Sequence, residues 1–362
     1  MSARMRRAGF VGIAASSLCV GLVAPTPSAT AIWGGTSTSV KSYPFMVSLR
    51  NLSLGRSHFC GGTMVNAVTV LTAAHCVVDS RYQLGAVVGV DKSAWPTARQ
   101  DVATDYRVHP AYSPRTTGGS HDVAVLRLRA HHRQIIPLSA TEPPAGTSAR
   151  AVGWGCSSPP VTRGGVTNRC PGGQVPSTLQ AMTGVVSADR ACLGLSEVFS
   201  RSFNSSTMLC VKGSRANVGP GDSGGPLLRS TAAGWVQVGV TSIGHPSATR
   251  AYAGYASLQA EKAWVQNRAK VFLDCDRFDH SRGRSVSGTT PSEIDWTNKS
   301  NRTVKLYWLN YSGARRYYAS LAPNSSLRQR TYLNHAWLVQ DDFENCYGYT
   351  VSDKRVKAYT IY

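Results

Sequence analysis

The sequence predicts an all-β protein whose first part is closed by one helix and followed by a second, smaller β domain. Three observations lead to this fold class. Short apolar and β-branched runs recur from Ile32 to about Ser257, with Gly, Pro, Ser and Asn between them. A stretch with helical spacing follows, from Leu258 to Leu273. Strand-like sequence of a different composition then resumes from Ile294.

The strand-like runs of the first part are short and are separated by turn residues. They include Phe45–Leu49, Val68–Leu71, Asp122–Leu128 and Val236–Val240. This spacing favours a barrel or a sandwich over alternating βαβ units. The helix after them is indicated by residues that recur near helical spacing with charged residues between them, namely Ala260, Ala263, Trp264, Asn267 and Val271.

The first 31 residues have the three parts of a secretory signal peptide. Three arginines precede an apolar run from Ala8 to Ala24, and Ala29-Thr30-Ala31 supplies an A-x-A cleavage site. We therefore expect cleavage after Ala31 and a secreted, extracellular protein. A membrane helix is the alternative, but the run is short and interrupted by Gly and Ser. No other stretch is long and apolar enough to span a bilayer.

The cysteine count agrees with an oxidising compartment. Of nine cysteines, Cys19 leaves with the signal, and eight remain: Cys60, Cys76, Cys156, Cys170, Cys192, Cys210, Cys275 and Cys346. Four disulfides are expected, although sequence alone does not fix their pairing. Zinc is the alternative, but no two of the eight stand at C-x-x-C spacing. Cys275 and Cys346 are the obvious pair, because their bond would tie the linker to the second domain.

The chain divides into a domain at 32–273, a linker at 274–292 and a second domain at 293–362. The linker is rich in Asp, Arg, Ser and Gly, and the second domain is rich in Trp, Tyr and Asn. Removing three signal arginines from the net charge of +20 leaves +17. This charge attracts acidic surfaces nonspecifically, but the basic residues are dispersed and form no nucleic-acid motif.

The candidate nucleophile is Ser223, in the stretch Gly219-Pro220-Gly221-Asp222-Ser223-Gly224-Gly225-Pro226. Glycines on both sides let the backbone bend sharply and let a ligand approach. A serine hydroxyl needs a base and an orienting carboxylate. His75, which follows an apolar run and precedes a cysteine that could pair with Cys60, is the candidate base, and Asp122 is the candidate carboxylate.

Three blocks carrying these residues resemble those of the chymotrypsin-like serine proteases from Ile32 to about Leu273. They are Ala73-Ala74-His75-Cys76, Asp122-Val123-Ala124-Val125-Leu126 and Gly221-Asp222-Ser223-Gly224-Gly225-Pro226. The resemblance implies a chymotrypsin-like double β-barrel with a C-terminal helix and a protein or peptide substrate. His75 would exchange the proton of Ser223, and Asp122 would hold His75 in the useful tautomer.

The resemblance implies further roles for named residues. Gly221 and Ser223 would form the oxyanion hole through their backbone N–H groups, and Cys192 would pair with Cys210. A freshly cut amine at Ile32 would pair with Asp222, so that signal removal itself would activate the enzyme. The implied substrate-binding residues are Asn217, Val218, Ser242, Gly244 and Ala253. With Asn217 at the pocket base, a neutral side chain, small to medium or aromatic, is preferred over Arg or Lys.

Other expectations follow from departures from the family pattern. Cys156 and Cys170 would close an atypical loop near the substrate cleft. The acids of a calcium loop are not evident between Asp91 and Asp101, so no metal or cofactor is predicted. The sequence Gly221-Asp222-Ser223-Gly224-Gly225 also fits the nucleophile elbow of α/β-hydrolases, but that fold places Asp and His after the Ser. A different kind of alternative is an adhesion or binding protein on a protease scaffold.

The second domain resembles the β-domain of the von Hippel–Lindau tumour suppressor from Ile294 to Val339. The similarity is carried by Trp308-Leu309-Asn310-Tyr311-Ser312-Gly313, by Tyr317-Tyr318 and by the run from Thr331 to Val339. It implies a small β-sandwich with a hydroxyproline pocket made of Tyr318, Thr331, His335 and Trp337. Aromatic walls would cover the pyrrolidine ring while His and a hydroxyl bind its 4-OH. The alternative is that these aromatics only form the core.

Overall fold

The computed structural model describes residues 32–53, 55, 57–78, 83–113, 119–158, 161–163, 166–169, 176–193, 195, 203–245, 251–281, 283–300 and 302–362. The expected signal peptide and Cys170 lie outside the described residues. Within them, no helix combines the length and the apolar character needed to cross a membrane.

Six antiparallel strands close into the first barrel. They are β2 (Met46–Asn51), β3 (His58–Met64), β4 (Thr69–Thr72), β5 (Leu84–Val88), β6 (Asp101–Val108) and β7 (Ala124–Leu128), and they close in the order β2-β3-β4-β7-β6-β5. Leu49, Leu71 and Leu126 are fully buried inside. Thr72 at the end of β4 pairs with Ala124 at the start of β7. The segments that follow β4 and precede β7 therefore lie at the same end of the barrel.

Six further strands form the second barrel. They are β8 (Ser148–Gly153), β11 (Gln180–Ser187), β12 (Met208–Gly213), β13 (Pro226–Thr231), β14 (Gly234–Gly244) and β15 (Tyr252–Ser257). The sheet runs β11-β12-β15-β14-β13-β8 and closes because β8 also pairs with β11. Outside the barrel, β1 (Thr36–Ser37) extends β11, while β9 (Val161–Arg163) and β10 (Val166–Arg169) form a separate hairpin. Two such barrels exclude the α/β-hydrolase alternative.

The closing helix is longer than the sequence indicated. We expected it to end at Leu273, but α1 runs over Leu258–Ser281 and takes up the first part of the expected linker. The segment after Leu273 is polar overall, but two of its positions are apolar and continue the buried face of the helix. Cys275 is fully buried, and the Phe278 ring lies 5.8 Å from the ring of Tyr349 in the second domain. Helix stability comes mostly from packing such a face, so composition alone was misleading.

The C-terminal domain is a sandwich of two sheets around one core. One sheet has the order β19-β16-β22, and the other has the order β18-β17-β20-β21. The strands are β16 (Pro291–Asn298), β17 (Val304–Leu309), β18 (Arg315–Leu321), β19 (Ser326–Tyr332), β20 (Ala336–Gln340), β21 (Cys346–Val351) and β22 (Val356–Ile361). Ile294, Trp296 and Leu306 lie fully buried between the sheets. The predicted all-β class and this division into barrels and sandwich are confirmed.

The two domains are joined by direct contacts around α1. A disulfide links Cys275 on α1 to Cys346 on β21. The Tyr359 hydroxyl donates to an Asp274 carboxylate oxygen at 3.2 Å, and the Arg107 guanidinium lies over the Tyr347 ring at 5.4 Å. The second domain is therefore packed on the first and is not tethered by a free linker.

Two more disulfides lie within the protease-like barrels. Cys60 pairs with Cys76, and Cys192 pairs with Cys210. Cys156 is also disulfide-bonded, but its expected partner Cys170 lies outside the described residues. The Cys60–Cys76 bond fixes the short 3₁₀ turn Ala74–Cys76, which carries His75.

Candidate active site

His75 and Asp122 are joined by two hydrogen bonds at the end of the first barrel. The His75 backbone N–H donates to Asp122 Oδ1 at 2.9 Å, and His75 Nδ1 lies 2.7 Å from Asp122 Oδ2. Asp122 is fully buried, whereas the His75 side chain is 18% exposed. Binding Nδ1 to a carboxylate places the proton there and leaves Nε2 as the acceptor.

A third side chain holds Asp122 from the second barrel. Ser242 on β14 donates its hydroxyl to Asp122 Oδ2 at 2.6 Å. Burial would raise the pKa of Asp122, but the nearby His75 and the hydrogen bonds from His75 and Ser242 outweigh it and hold the pKa below its ordinary value. Asp122 is therefore ionised, as an orienting carboxylate must be. From the sequence we expected Ser242 to bind substrate. Its side-chain contact with Asp122 was not predicted, because 120 residues separate the two partners.

The turn that carries Ser223 is docked against the first barrel. The Gly61 N–H on β3 donates to the Ser223 carbonyl at 2.7 Å. Gly224 has φ +79°, and a Cβ there would lie 2.1 Å from Thr72 Oγ1 and 3.0 Å from the Ala73 nitrogen. Only glycine allows the turn to approach so closely to the strand end that precedes His75. The Ser223 turn thus lies at the junction of the two barrels, against the strand end that precedes His75.

The backbone around Ser223 leaves two N–H groups for a ligand. Gly219, Asp222, Gly224 and Gly225 each donate their backbone N–H to an acceptor within the protein. Among the described contacts, the N–H groups of Gly221 and Ser223 donate to none, and the Ser223 hydroxyl likewise makes no hydrogen bond. These are the two donors predicted for the oxyanion hole. Gly221 has φ +93°, a conformation that favours glycine.

His58 is a residue that sequence reasoning missed. Its Nε2 lies 2.9 Å from the Gly221 carbonyl oxygen, and its Nδ1 lies 2.9 Å from Ser48 Oγ. Burial lowers the pKa of His58 to about 4, so the ring is neutral and its Nε2–H donates to Gly221. The bond fixes the peptide next to the candidate oxyanion donors. No local pattern marked His58, because it stands in an ordinary strand 163 residues from Gly221.

Asp222 is a buried carboxyl whose partners are backbone donors. Gly155 N–H donates to its Oδ1 at 2.7 Å, and Gly219 N–H donates to its Oδ2 at 2.9 Å. Burial raises the pKa of Asp222 to about 7, although the two N–H groups act in the opposite direction. Among the described residues no Lys, Arg or His pairs with it. One nearby cation would therefore stabilise the ionised form of this buried carboxyl.

Ile32 and Trp33, the residues after the expected cleavage site, are docked against the second barrel close to the stretch that precedes Gly219. Ile32 is fully buried beside Val218 and Ala253. The Trp33 carbonyl accepts from Asn217 N–H at 3.1 Å, so the segment pairs with the stretch that leads to Gly219. Ile32 has φ +50°, which is strained for a β-branched residue. Cutting the preceding peptide bond would release that strain.

The predicted specificity residues lie together, but Asn217 does not present a free side chain. Its amide Nδ2 donates to the carbonyls of His245 and Tyr252, and its Oδ1 accepts from Val218 N–H at 2.9 Å. Gly244 pairs with Ala253 on the neighbouring strand. A Cβ on Gly244 would lie 2.5 Å from the Val218 carbonyl oxygen and 2.9 Å from its Cγ2. Val218 and Gly244 therefore stand close together, and the space between them is narrow.

In the C-terminal domain, the four predicted pocket residues form one cluster. Thr331 Oγ1 accepts from Trp337 Nε1 at 3.2 Å and lies 3.1 Å from His335 Nδ1. The Tyr318 and Trp337 rings are 4.9 Å apart. The Thr331 O–H is within reach of His335 Nδ1, and when it donates there the His335 proton is on Nε2. Burial lowers the pKa of His335, which keeps the ring neutral.

More aromatics surround His335 than the sequence comparison indicated. Trp308, Tyr311 and Tyr332 have ring centroids 5.2, 6.0 and 5.4 Å from the His335 ring. Tyr318 is 51% exposed and Tyr332 is 45% exposed, whereas Trp337 is 1% exposed. The cluster is therefore buried on one side and open to the surface on the other.

Comparison with known proteins identifies the families to which the two domains are similar. The Trypsin family model matches residues 32–265, and the VHL beta domain model matches residues 283–354. Trypsin delta of Drosophila erecta is 32% identical over 247 residues, which covers 66% of this chain and 88% of that protein. Trypsin alpha of Drosophila melanogaster is 30% identical over 247 residues, with 66% and 87% covered. Trypsin of Sarcophaga bullata is 29% identical over 252 residues, with 66% and 89% covered.

The Trypsin model ends within the helix that closes the barrels, and the second family model begins just after that helix. The expected resemblance to both families is confirmed. The chain therefore belongs to the trypsin family of serine proteases and carries a C-terminal domain of the von Hippel–Lindau β type.

Proposed function

We propose that this protein is a secreted serine endopeptidase that acts through His75, Asp122 and Ser223. The observation that carries the proposal is the 2.7 Å contact between His75 Nδ1 and the buried Asp122. This contact leaves Nε2 as the acceptor for a serine proton, at the barrel junction where Ser223 is docked. The disulfides support an oxidising, extracellular location.

The chemistry proceeds in two steps that share one base. His75 Nε2 removes the Ser223 proton as Oγ bonds to the scissile carbonyl carbon. The tetrahedral intermediate collapses as its C–N bond breaks, and His75 returns the proton to the leaving amine. Water, deprotonated by His75, then attacks the acyl-enzyme ester, the bond between the acyl carbon and Ser223 Oγ breaks, and His75 returns the proton to Oγ as the acid is released. The free N–H groups of Gly221 and Ser223 stabilise the oxyanion in both steps.

The geometry of the pocket residues supports cleavage after small neutral side chains. At the pocket base Asn217 stands in place of an acid, so a basic side chain finds no opposite charge there. The Asn217 amide is already hydrogen-bonded to two backbone carbonyls. The close approach of Val218 to Gly244 leaves little room for a large side chain. This refines the sequence expectation, which also allowed aromatic residues.

A peptide library tests this assignment of function and specificity together. We expect the chain beginning at Ile32 to cleave after Gly, Ala or Ser at least about tenfold faster than after Arg or Phe, since a methylene or a lost charge partner is worth a factor of this size. Val218→Gly should extend cleavage to larger side chains. Ser223→Ala should cleave nothing, whereas preferential cleavage after Arg would contradict the assignment of the pocket.

We further propose that the C-terminal domain binds a proline-containing peptide, with hydroxyproline preferred. Neutral His335 offers its Nε2–H, which has only a 3.5 Å contact to the Tyr311 hydroxyl, to the oxygen of a 4-OH group. The half-exposed Tyr318 and Tyr332 would cover the pyrrolidine ring. Because α1 and its disulfide hold this domain on the protease domain, such binding would raise the local concentration of substrate.

Calorimetry with matched Pro and hydroxyproline peptides tests the ligand. One added hydrogen bond predicts roughly tenfold tighter binding of hydroxyproline. His335→Ala should remove that difference, whereas Tyr317→Phe, an exposed change outside the cluster, should preserve it. Equal affinity for both peptides would remove hydroxyproline from the proposal. Absence of any binding would assign the cluster to the core alone.

A further inference from the structure

A second cluster of titratable side chains lies directly behind Asp122. It consists of His109, which follows β6, His121, which precedes Asp122, and Glu261 in the first turns of α1. His121 Nδ1 lies 2.8 Å from Glu261 Oε1, and His109 Nε2 lies 3.3 Å from Glu261 Oε2. The two imidazole rings stack 4.7 Å apart with an angle of 6° between them. Glu261 is fully buried.

The backbone conformation at His121 gives the contact between Glu261 and His121 a structural role. His121 has φ +55°, a left-handed conformation that costs energy for any residue with a Cβ. Its carbonyl accepts from Val123 N–H at 2.7 Å, so a tight turn spans Asp122. His109 N–H donates to the Val123 carbonyl at 3.0 Å on the far side of that turn. The conformation of His121 therefore sets the direction in which Asp122 leaves the turn.

The same three side chains match the ligand set of a zinc site, but their arrangement does not fit one ion. Parallel rings have no common plane in which a metal could meet both nitrogen lone pairs. Ala111 N–H also donates to His109 Nδ1 at 3.2 Å, which puts the His109 proton on Nε2, the atom that faces the carboxylate. The cluster is therefore joined by the hydrogen bond between His121 Nδ1 and Glu261 Oε1, while His109 stacks on His121 and its Nε2 faces Glu261 Oε2 without a hydrogen bond.

We propose that Glu261 is a positioning residue that, through His121, fixes the backbone carrying Asp122. Its carboxylate holds the His121 ring against His109 and so keeps His121 in its strained conformation. Asp122 then meets His75 and Ser242 in one fixed geometry. This inference rests on the proposed function, because the readout is catalysis by Ser223.

The test replaces Glu261 by Met, which keeps the side-chain length and the helix propensity but accepts no N–H bond. We expect kcat to fall on the order of tenfold with KM unchanged, because misplaced catalytic groups slow chemistry more than binding. Glu261→Gln, whose amide oxygen still accepts from a neutral His121, should recover most of the loss. Glu142→Met removes an exposed carboxylate and serves as the matched control.

Two readouts separate positioning from simple destabilisation. Rates are referred to the concentration of fluorophosphonate-titrated sites, and the NMR resonance of the proton between His75 and Asp122 is followed in folded enzyme. Glu261→Met should shift that resonance, and Glu142→Met should not. In a His121→Gly background glycine adopts the left-handed conformation without strain, so the Glu261 contact is no longer required. Glu261→Met should then lower kcat by less than about twofold.

Several outcomes would overturn the inference. They are equal kcat for Glu261→Met and Glu142→Met, an equal cost of Glu261→Met with and without His121→Gly, and inhibition by micromolar Zn²⁺ that Glu261→Met abolishes. The last would show an ion site. If the wild type itself is not titrated by fluorophosphonate, the proposed function fails instead, and the two failures are distinguishable.

Discussion

Asp122→Asn is expected to lower kcat by about 10⁴ while KM changes little, which is the factor known for the corresponding change in this family. An Asn side chain turns an N–H toward His75 Nδ1, so the imidazole shifts its proton to Nε2. A protonated Nε2 cannot accept the Ser223 proton, although every side chain remains in place. Steady-state kinetics on a peptide substrate, referred to folded enzyme, measures the loss.

Asp101→Asn is the matched control for this experiment. Asp101 is also a buried carboxylate, and its Oδ2 lies 2.7 Å from Nε2 of His132 in the same barrel. We expect Asp101→Asn to reduce thermal stability without reducing kcat per folded molecule. A similar loss of kcat in both variants would mean that the effect of Asp122→Asn comes from damage to the barrel and not from the tautomer of His75.

A free amine at Ile32 is the second requirement with a large expected effect. A chain that retains Ala31 should be at least roughly a hundredfold less active than one beginning at Ile32, because the buried Asp222 carboxylate then lacks its cation. Activity is measured before and after removal of a cleavable leader, with N-terminal sequencing of both forms. Full activity with the leader attached would contradict the pairing of Ile32 with Asp222.

The pH dependence of stability gives an independent check on Asp222. In the uncut chain its pKa is raised to about 7, so the folded form keeps its proton while the unfolded form loses it from about pH 4. The stability of the uncut chain should therefore fall as pH rises from 4 to 7, by as much as about 4 kcal/mol from this group. His58, with its pKa lowered to about 4, acts in the opposite direction between pH 4 and 6.5.

Comparison with Asp222→Asn isolates the Asp222 contribution from that of His58. The difference in unfolding free energy between the two uncut chains should shrink as pH rises through this window. In the cut enzyme the ammonium at Ile32 stabilises the carboxylate, so the sign should reverse and stability should be lost as pH falls. A difference that does not change with pH in the uncut chain would show that Asp222 is not protonated there.

The sequence predicted those features that depend on neighbouring residues. The glycines around Ser223, the strand before His75 and the strand after Asp122 are local patterns, and each stands where expected. The end of α1 was predicted too early, because Cys275 and Phe278 contact Cys346 and Tyr349 in the second domain, which no local pattern indicates. The roles of His58, the Ser242 hydroxyl and Glu261 were not predicted, because they too depend on distant partners. Each acts on a partner more than 100 residues away, and no spacing rule connects them.

Acylation of Ser223 by a fluorophosphonate tests the proposed catalytic site at its centre. The reagent forms a bond to the nucleophile only when the base and the oxyanion donors are assembled around it. We predict one adduct per chain in protein beginning at Ile32, located at Ser223 by peptide mass spectrometry and absent from Ser223→Ala. Folded, correctly cut protein that takes up no label, or that is labelled equally in Ser223→Ala, would contradict the proposed mechanism and would leave a binding protein on a protease scaffold.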